Sequence, residues 1–263
     1  PAAFGSTQSD DGFGYSVAVA DDTVVVGADR EDSSTTGVNS TANESAVDSG
    51  AVYVFTRSAG VWTEQAYLKP AIVGTTQAGD FFGSSVAVAG DTVIVGARNE
   101  DSSTTGVNST PNESATNAGA AYAFTRTASV CTQQAYFKPG AVGTTQASDQ
   151  FGYSVAVAGD TVVVGANEED SSTTGVNGVP NEGASAAGAA YVFNGIGPPE
   201  IAVSGNSVNI LDGDATPALA DHTDFGTVHV ASGTRVRTFT IQNSGTGDLT
   251  LGSVTVGGTH AAD

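Results

Sequence analysis

The chain has 263 residues, of which 28 are Asp or Glu and 8 are Lys or Arg, so its formal net charge is -20. This acidic balance repels nucleic-acid phosphates and anionic membranes, so we expect no nucleic-acid partner and no membrane insertion. An acidic surface suits cations or a basic partner, or it serves solubility alone.

Internal repetition organises residues 1–194. A Phe-Gly pair recurs at a spacing of 69 residues, since 82 − 13 and 151 − 82 are equal, and a Gly-Ala pair follows each Phe-Gly pair at a constant distance. The Phe-Gly pairs are Phe13-Gly14, Phe82-Gly83 and Phe151-Gly152. The Gly-Ala pairs are Gly27-Ala28, Gly96-Ala97 and Gly165-Ala166. We interpret both pairs as structural, with Phe filling the gap between sheets and Gly allowing close backbone approach.

Each repeat predicts four strands, which in chain order read SVAVA, TVVVGA, GAVYVF and QAYLKP in the first copy. The first two strands are joined by two residues such as Gly90-Asp91, which have the length and chemistry of a tight hairpin turn. The second strand is apolar at successive positions, as in a sheet covered on both faces. These features predict an all-β fold, a partial β-propeller of four-stranded blades over residues 1–194, although a stacked β-solenoid remains open.

The third repeat reaches Pro198-Pro199 without a fourth strand. Pro1 aligns with Pro70 and Pro139, each of which follows a fourth strand, so we expect a strand upstream of Pro1 to complete the last blade. Propellers typically have about four to eight blades, so further blades are also expected upstream.

The Phe-Gly and Gly-Ala pairs resemble FG-GAP repeats, which form the seven-bladed propeller of integrin α subunits and of many bacterial surface proteins. The resemblance covers residues 4–194 and implies a propeller fold and an extracellular or cell-surface location. Two departures stand out. Asp29, Arg98 and Asn167 replace the proline of the motif, and the family's calcium loop between the first two strands is reduced to a two-residue turn. The resemblance therefore does not imply that calcium site.

Each repeat also contains a long polar loop, over residues 29–49, 99–118 and 167–187, that begins with clustered carboxylates. Calcium favours such oxygen ligands, so these acids are candidate calcium ligands, while an ordinary solvated loop remains the alternative. The candidates are Glu31, Asp32, Glu100, Asp101, Glu169 and Asp170. Asn-x-Ser/Thr sequons in the same loops mark possible glycosylation sites, or arise from their Ser- and Asn-rich composition. They begin at Asn39, Asn43, Asn108 and Asn112.

Residues 195–200 (GIGPPE) form a Pro/Gly linker, beyond which the repeat stops. Short strand-like runs over residues 201–263 predict a truncated immunoglobulin-like β-sandwich. The run FGTVHVASGTRVRTFTIQNSGTGDLTLGSVTVGG resembles the choice-of-anchor D and ASPM-SPD2-Hydin modules, which are spacers in bacterial surface proteins.

Catalytic signatures are lacking in the sequence. Cys131 stands where Trp62 stands in the first repeat, which indicates a packing role, and all 3 histidines lie in the C-terminal piece. We therefore predict a non-catalytic extracellular or cell-surface adhesion module whose partner is a protein or glycan. Two alternatives stay open: a structural stalk or surface-layer component without a discrete ligand, and an extracellular propeller enzyme whose site lies in further blades.

Overall fold

A computed structural model describes residues 8–71, 77–140, 146–194, 201–211, 216–224, 226 and 236–243. The predicted all-β class is confirmed, because these residues form strands and turns and contain no helix, and hence no helix able to cross a membrane. In chain order the strands are β1 (Phe13–Ala20), β2 (Thr23–Ala28), β3 (Ala51–Ser58), β4 (Val61–Leu68), β5 (Phe82–Ala89), β6 (Thr92–Ala97), β7 (Ala120–Thr127), β8 (Val130–Phe137), β9 (Phe151–Ala158), β10 (Thr161–Ala166), β11 (Ala189–Asn194), β12 (Ile201–Gly205), β13 (Val208–Ile210) and β14 (Phe239–Asn243).

The three repeats form three consecutive antiparallel sheets, as predicted. Blade 1 has the order β1-β2-β3-β4, blade 2 the order β5-β6-β7-β8, and blade 3 the order β11-β10-β9. The turns between the first two strands are tight, and Asp21, Gly90 and Gly159 adopt the positive φ that such turns need (48°, 53° and 58°). Among the described residues, blade 3 has no fourth strand.

Each Phe-Gly pair lies at an irregularity of the ladder between the first two strands of its blade. In blade 2 the register shifts between the Phe82–Ala97 and Ser85–Gly96 pairs, and Gly83 has a φ of 89°, which suits glycine. The shift turns the Phe82 ring edge-on to Tyr122, with the ring centroids 5.3 Å apart. This local irregularity of the backbone thus places the Phe82 ring in the apolar cluster that blades 1 and 2 share.

The core lies between the blades. One apolar cluster joins residues of blades 1 and 2, and another joins residues of blades 2 and 3. The prediction that the second strand is covered on both faces holds for β6, which is buried throughout, and for most of β2. It fails for β10, where buried and half-buried residues alternate, because no described blade covers its outer face.

Residues 197–263 form a separate compact unit, in which β12, β13 and β14 make a three-stranded antiparallel sheet with β12 in the centre. More than half of residues 201–263, including His229 and His260, lie outside the described residues, as does the predicted linker at 195–200. The immunoglobulin-like sandwich therefore stays a prediction.

Candidate functional site

The longest connection of each blade joins its second and third strands, over residues 29–50, 98–119 and 167–188. We call these connections the β2–β3 loops. All three have the same backbone form: the glycines at 37, 106 and 175 have φ values of 84°, 83° and 88°. Two residues further on, the asparagines at 39, 108 and 177 have φ values of 55°, 57° and 57°. Asparagine and glycine tolerate this left-handed region better than other residues, which explains their place in the repeat.

Internal hydrogen bonds hold each loop together. In blade 1 the Asn43 amide N–H donates to Ser33 Oγ at 3.0 Å, and Ser34 N–H donates to Asn43 Oδ1 at 3.0 Å. The Asp48 N–H donates to Asp32 Oδ1 at 2.9 Å. The Asp101 and Asp170 carboxylates accept from the backbone at the matching positions, both at 2.7 Å. These carboxylates thus serve as fixed acceptors that close the loop.

A buried ion pair anchors the loop of blade 1 to the end of its fourth strand. Lys69 Nζ lies 3.2 Å from Glu31 Oε2, and both side chains are almost entirely shielded from solvent. The same ammonium group donates to Ser49 Oγ at 2.9 Å and to the carbonyl oxygen of Gly50. Burial lowers the pKa of Lys69 to about 8, against the opposing effect of the Glu31 charge.

Blade 2 repeats this arrangement and completes it. Lys138 Nζ donates to Glu100 Oε2 at 3.0 Å, and the Tyr136 hydroxyl donates to Glu100 Oε1 at 3.0 Å. A third donor is the Ser102 N–H, at 3.1 Å. The buried carboxylate of Glu100 is thus satisfied by one charge and two hydrogen bonds, as a buried ion requires. Sequence reasoning missed both lysines, although the repeated Lys-Pro pair after each fourth strand was the available signal.

The predicted calcium ligands also have partners within the protein. Glu31 and Glu100 pair with lysines, and the three aspartates that follow the clustered glutamates bind backbone N–H groups. Calcium takes about six to eight oxygen ligands. Within the described ranges, no three His, Cys, Asp or Glu side chains group in a way that could hold a metal ion. These contacts show what the carboxylates bind within the protein, and the calcium site stays a prediction.

A second buried acid precedes the Phe-Gly strand of each blade. Asp80 is 2% exposed, and its Oδ2 accepts the Gln77 N–H at 2.9 Å. Burial, together with the nearby charges of Glu100 and Glu113, raises the pKa of Asp80 to about 8, against the opposing effect of the hydrogen bond from Gln77. Asp149 stands at the same position of blade 3, and burial raises its pKa to about 6. Sequence alone does not distinguish these buried acids from the exposed ones.

The Phe-Gly and Gly-Ala pairs meet at the junction between neighbouring blades. A Cβ atom on Gly27 would overlap the carbonyl oxygen of Gly83, so only glycine allows this approach. Ser16 Oγ donates to the same carbonyl at 2.7 Å. The contact recurs between Gly96 and Gly152. The Gly-Ala pair of one blade therefore packs closely against the Phe-Gly pair of the next blade.

The position that lacks the motif's proline also forms a contact between blades. Arg98 Nη1 lies 3.2 Å from Asp29 Oδ2, and these two residues occupy the same place in adjacent repeats. The Arg98 guanidinium carbon also lies 4.4 Å from the centroid of the Phe81 ring. The departure from the motif thus introduces an ion pair across the junction.

Cys131 is buried in the cluster shared by blades 1 and 2, whereas Trp62 at the same position of blade 1 is 44% exposed and lies near Arg57. The two residues share a ladder position, but only Cys131 packs in a core. Burial raises the pKa of the Cys131 thiol, which disfavours the reactive thiolate.

The chain matches a model of a known protein family. The FG-GAP repeat model matches residues 6–55, 62–124 and 144–193, which together are more than half of the chain. No curated protein matches the chain.

Proposed function

Because the chain belongs to the FG-GAP repeat family, we propose that it is a non-catalytic adhesion module that acts at a cell surface or outside the cell. The observation that carries the proposal is the shared fold of the three β2–β3 loops. Hydrogen bonds and, in blades 1 and 2, a buried lysine hold these loops in one conformation. A loop that is ordered before binding loses less entropy when it meets a partner, so such loops suit recognition.

The exposed carboxylates of the loops indicate the chemistry of the partner. Glu44, Glu113 and Glu182 occupy equivalent positions, and each is exposed. Each loop therefore presents a negative charge at the same position, on a chain that carries a net charge of -20. Complementary charge steers association and excludes partners of like charge. We propose a partner with a basic surface, either a protein or a glycan with cationic groups.

The test replaces these three glutamates together with glutamine and measures binding to an array of glycans and purified surface proteins. The matched control is the triple variant Asp22→Asn, Asp91→Asn, Asp160→Asn. These aspartates lie in the turns between first and second strands, at the opposite end of each second strand from the β2–β3 loops. Both variants change the net charge equally. Their folding is checked by circular dichroism.

The proposal expects a binding partner that the wild-type chain and the turn variant retain and the loop variant loses. An equal loss of binding in both triple variants would show that binding depends on net charge alone. This result would contradict a site on the loops. A correctly folded chain that binds nothing on the array would favour the structural stalk.

A further inference from the structure

The β2–β3 loop of blade 3 differs from its two equivalents at one turn, which contains Asn177 and Gly178. The asparagine has the left-handed conformation of its equivalents, with a φ of 57°, and both residues are exposed. In blades 1 and 2 a serine follows the equivalent asparagine, whereas here a glycine follows it. An asparagine side chain can react with the backbone nitrogen of the next residue, and a glycine leaves that nitrogen unshielded and the backbone free to rotate.

In blade 1 two side-chain hydrogen bonds hold this turn. Asn39 Oδ1 accepts the Tyr67 N–H at 2.9 Å, so the side-chain amide is held against the fourth strand. Ser40 Oγ donates to Thr35 Oγ1 at 2.9 Å, so the residue after the asparagine is tied to the start of the loop. Ring closure between the amide and the next backbone nitrogen requires both groups to rotate, and these bonds oppose that rotation.

Blade 2 repeats both hydrogen bonds. Asn108 Oδ1 accepts the Tyr136 N–H at 3.0 Å. Ser109 Oγ donates to Thr104 Oγ1 at 2.9 Å. The equivalent asparagines of blades 1 and 2 are therefore each held by the fourth strand and by a neighbouring serine.

Blade 3 lacks both hydrogen bonds in the described part of the chain. Gly178 has no hydroxyl group with which to reach Thr173, the equivalent of the threonines above. The side-chain amide of Asn177 makes no hydrogen bond to a described residue. The turn thus combines an exposed asparagine, a following glycine and an amide that is free to rotate.

We propose that Asn177 is a site of spontaneous deamidation. The Gly178 backbone nitrogen loses its proton to hydroxide and attacks Cγ of Asn177. The bond between Cγ and Nδ2 breaks, and ammonia leaves with a proton taken from water. Water then adds to either carbonyl group of the resulting cyclic imide and opens it to an aspartate or an isoaspartate. The reaction consumes only water and adds one negative charge to the chain.

The reaction changes the loop in two ways. The new carboxylate adds to the charge of a loop that already exposes Glu182. In the isoaspartate product the side-chain methylene group enters the main chain, so the backbone of the turn becomes longer. Deamidation therefore alters both the charge and the path of this loop with time. The inference does not rest on the adhesive role proposed above.

The chain also contains a control for the Asn-Gly sequence itself. Asn194 precedes Gly195, but it lies at the end of β11, where its backbone pairs with Thr161. Its Oδ1 also accepts the Thr161 hydroxyl at 3.3 Å. Because the strand pairing and this hydrogen bond oppose rotation, we expect Asn194 to react more slowly than Asn177.

The experiment incubates the full chain at mildly alkaline pH and follows deamidation by mass spectrometry. Samples are digested with a protease that cleaves after glutamate, and fragmentation of the peptides assigns the modified residue and separates aspartate from isoaspartate. This cleavage gives one matched peptide for each loop and one for Asn194, namely residues 32–44, 101–113, 170–182 and 183–200.

In the folded chain we expect Asn177 to react at least about tenfold faster than Asn39, Asn108 or Asn194, the equivalent of roughly 1.4 kcal/mol in the barrier. The rate at Asn177 should rise with pH, because the attacking nitrogen must first lose its proton. In urea, Asn177 and Asn194 should react at similar rates, because the fold no longer protects Asn194.

Two variants test the two hydrogen bonds, and circular dichroism checks that each variant is folded. Gly178→Ser restores the serine of blades 1 and 2 and should slow the reaction of Asn177. Ser40→Gly removes the serine bond of blade 1 and should accelerate the reaction of Asn39. This reaction should still be slower than that of Asn177, because Tyr67 continues to hold the amide.

Three results would overturn the proposal. The first is an unmodified Asn177 in the folded chain after a period in which it reacts in urea. The second is an equal rate at Asn177 and Asn194 in the folded chain, which would mean that the Asn-Gly sequence alone sets the rate. The third is an equal rate at Asn177 and Asn108, which would show that neither the glycine nor the missing hydrogen bonds matter.

Discussion

Replacing Lys138 with methionine tests whether the buried lysine clamp stabilises the fold. The change keeps the length and apolar stem of the side chain and removes its charge. Glu100 then stays buried, and the Tyr136 hydroxyl and the Ser102 N–H still donate to it. Breaking a buried ion pair by removing one partner costs about 3–5 kcal/mol, because an uncompensated charge remains in the core. The Gly119 carbonyl also loses its lysine donor.

The assay is urea denaturation followed by circular dichroism, together with calorimetry. For a unit of this size each kcal/mol lowers Tm by roughly 2–4 °C, so we expect a decrease of about 6–20 °C. The matched control is Arg57→Met, which breaks an exposed pair with Asp22 whose atoms lie 2.7 Å apart. Exposed ion pairs contribute about 0–1 kcal/mol, so Arg57→Met should destabilise the chain less than Lys138→Met, although the exposed pair has the shorter distance.

A double variant distinguishes charge from packing. Adding Glu100→Gln to Lys138→Met removes the unpaired charge, so it should recover much of the lost stability. The reasoning is refuted if Lys138→Met costs no more than Arg57→Met. It is equally refuted if the double variant is as unstable as Lys138→Met plus the separate cost of Glu100→Gln.

The remaining predictions concern the blade junction, a buried acid and the thiol. Gly96→Ala should cost about 1–3 kcal/mol because its Cβ would overlap the Gly152 carbonyl. Gly165→Ala should cost less, because its Cβ would meet only the side chain of Ser154, which can move. Equal urea midpoints for the two variants would contradict the close contact between blades at Gly96. Because burial raises the pKa of Asp80 from 3.8 to about 8, the folded state retains a proton that the unfolded chain releases. Its contribution to the free energy of unfolding should therefore fall as pH rises through this interval. Asp80→Asn should reduce the decrease in stability with rising pH, measured by thermal melts between pH 4 and pH 8. An unchanged pH dependence would show that other groups cause it. Cys131 should react with a thiol reagent only in denaturant, and rapid reaction of the folded chain would contradict its burial.

Much of blades 1 to 3 could be predicted from the sequence because the relevant interactions are local. A two-residue turn containing Gly90 fixes its hairpin, and alternation or continuity of apolar residues sets which faces are covered. The strand content of each repeat followed from these signals. The covering of β10 did not, because it depends on whether another sheet lies against its outer face.

The candidate site was harder to predict, because its partners are distant in sequence. Lys69 lies 38 residues from Glu31, and the residues next to them in the sequence do not indicate that they form a pair. A sequence does not show whether a carboxylate binds calcium, pairs with a lysine or is hydrated by water. The six acids were therefore predicted as calcium ligands on composition that fits all three.

The sequence by itself determined the unit of the fold. Three nearly identical stretches at a spacing of 69 residues must adopt nearly identical local structures, since the same chemistry acts on each. Only the tertiary structure decided what each carboxylate does. Glu100 is buried against Lys138, while the equivalent Glu169 is buried without a cation in the described residues, because their surroundings differ and not their residue type. Burial and distance set the cost of a charge, and both exist only once the chain is folded.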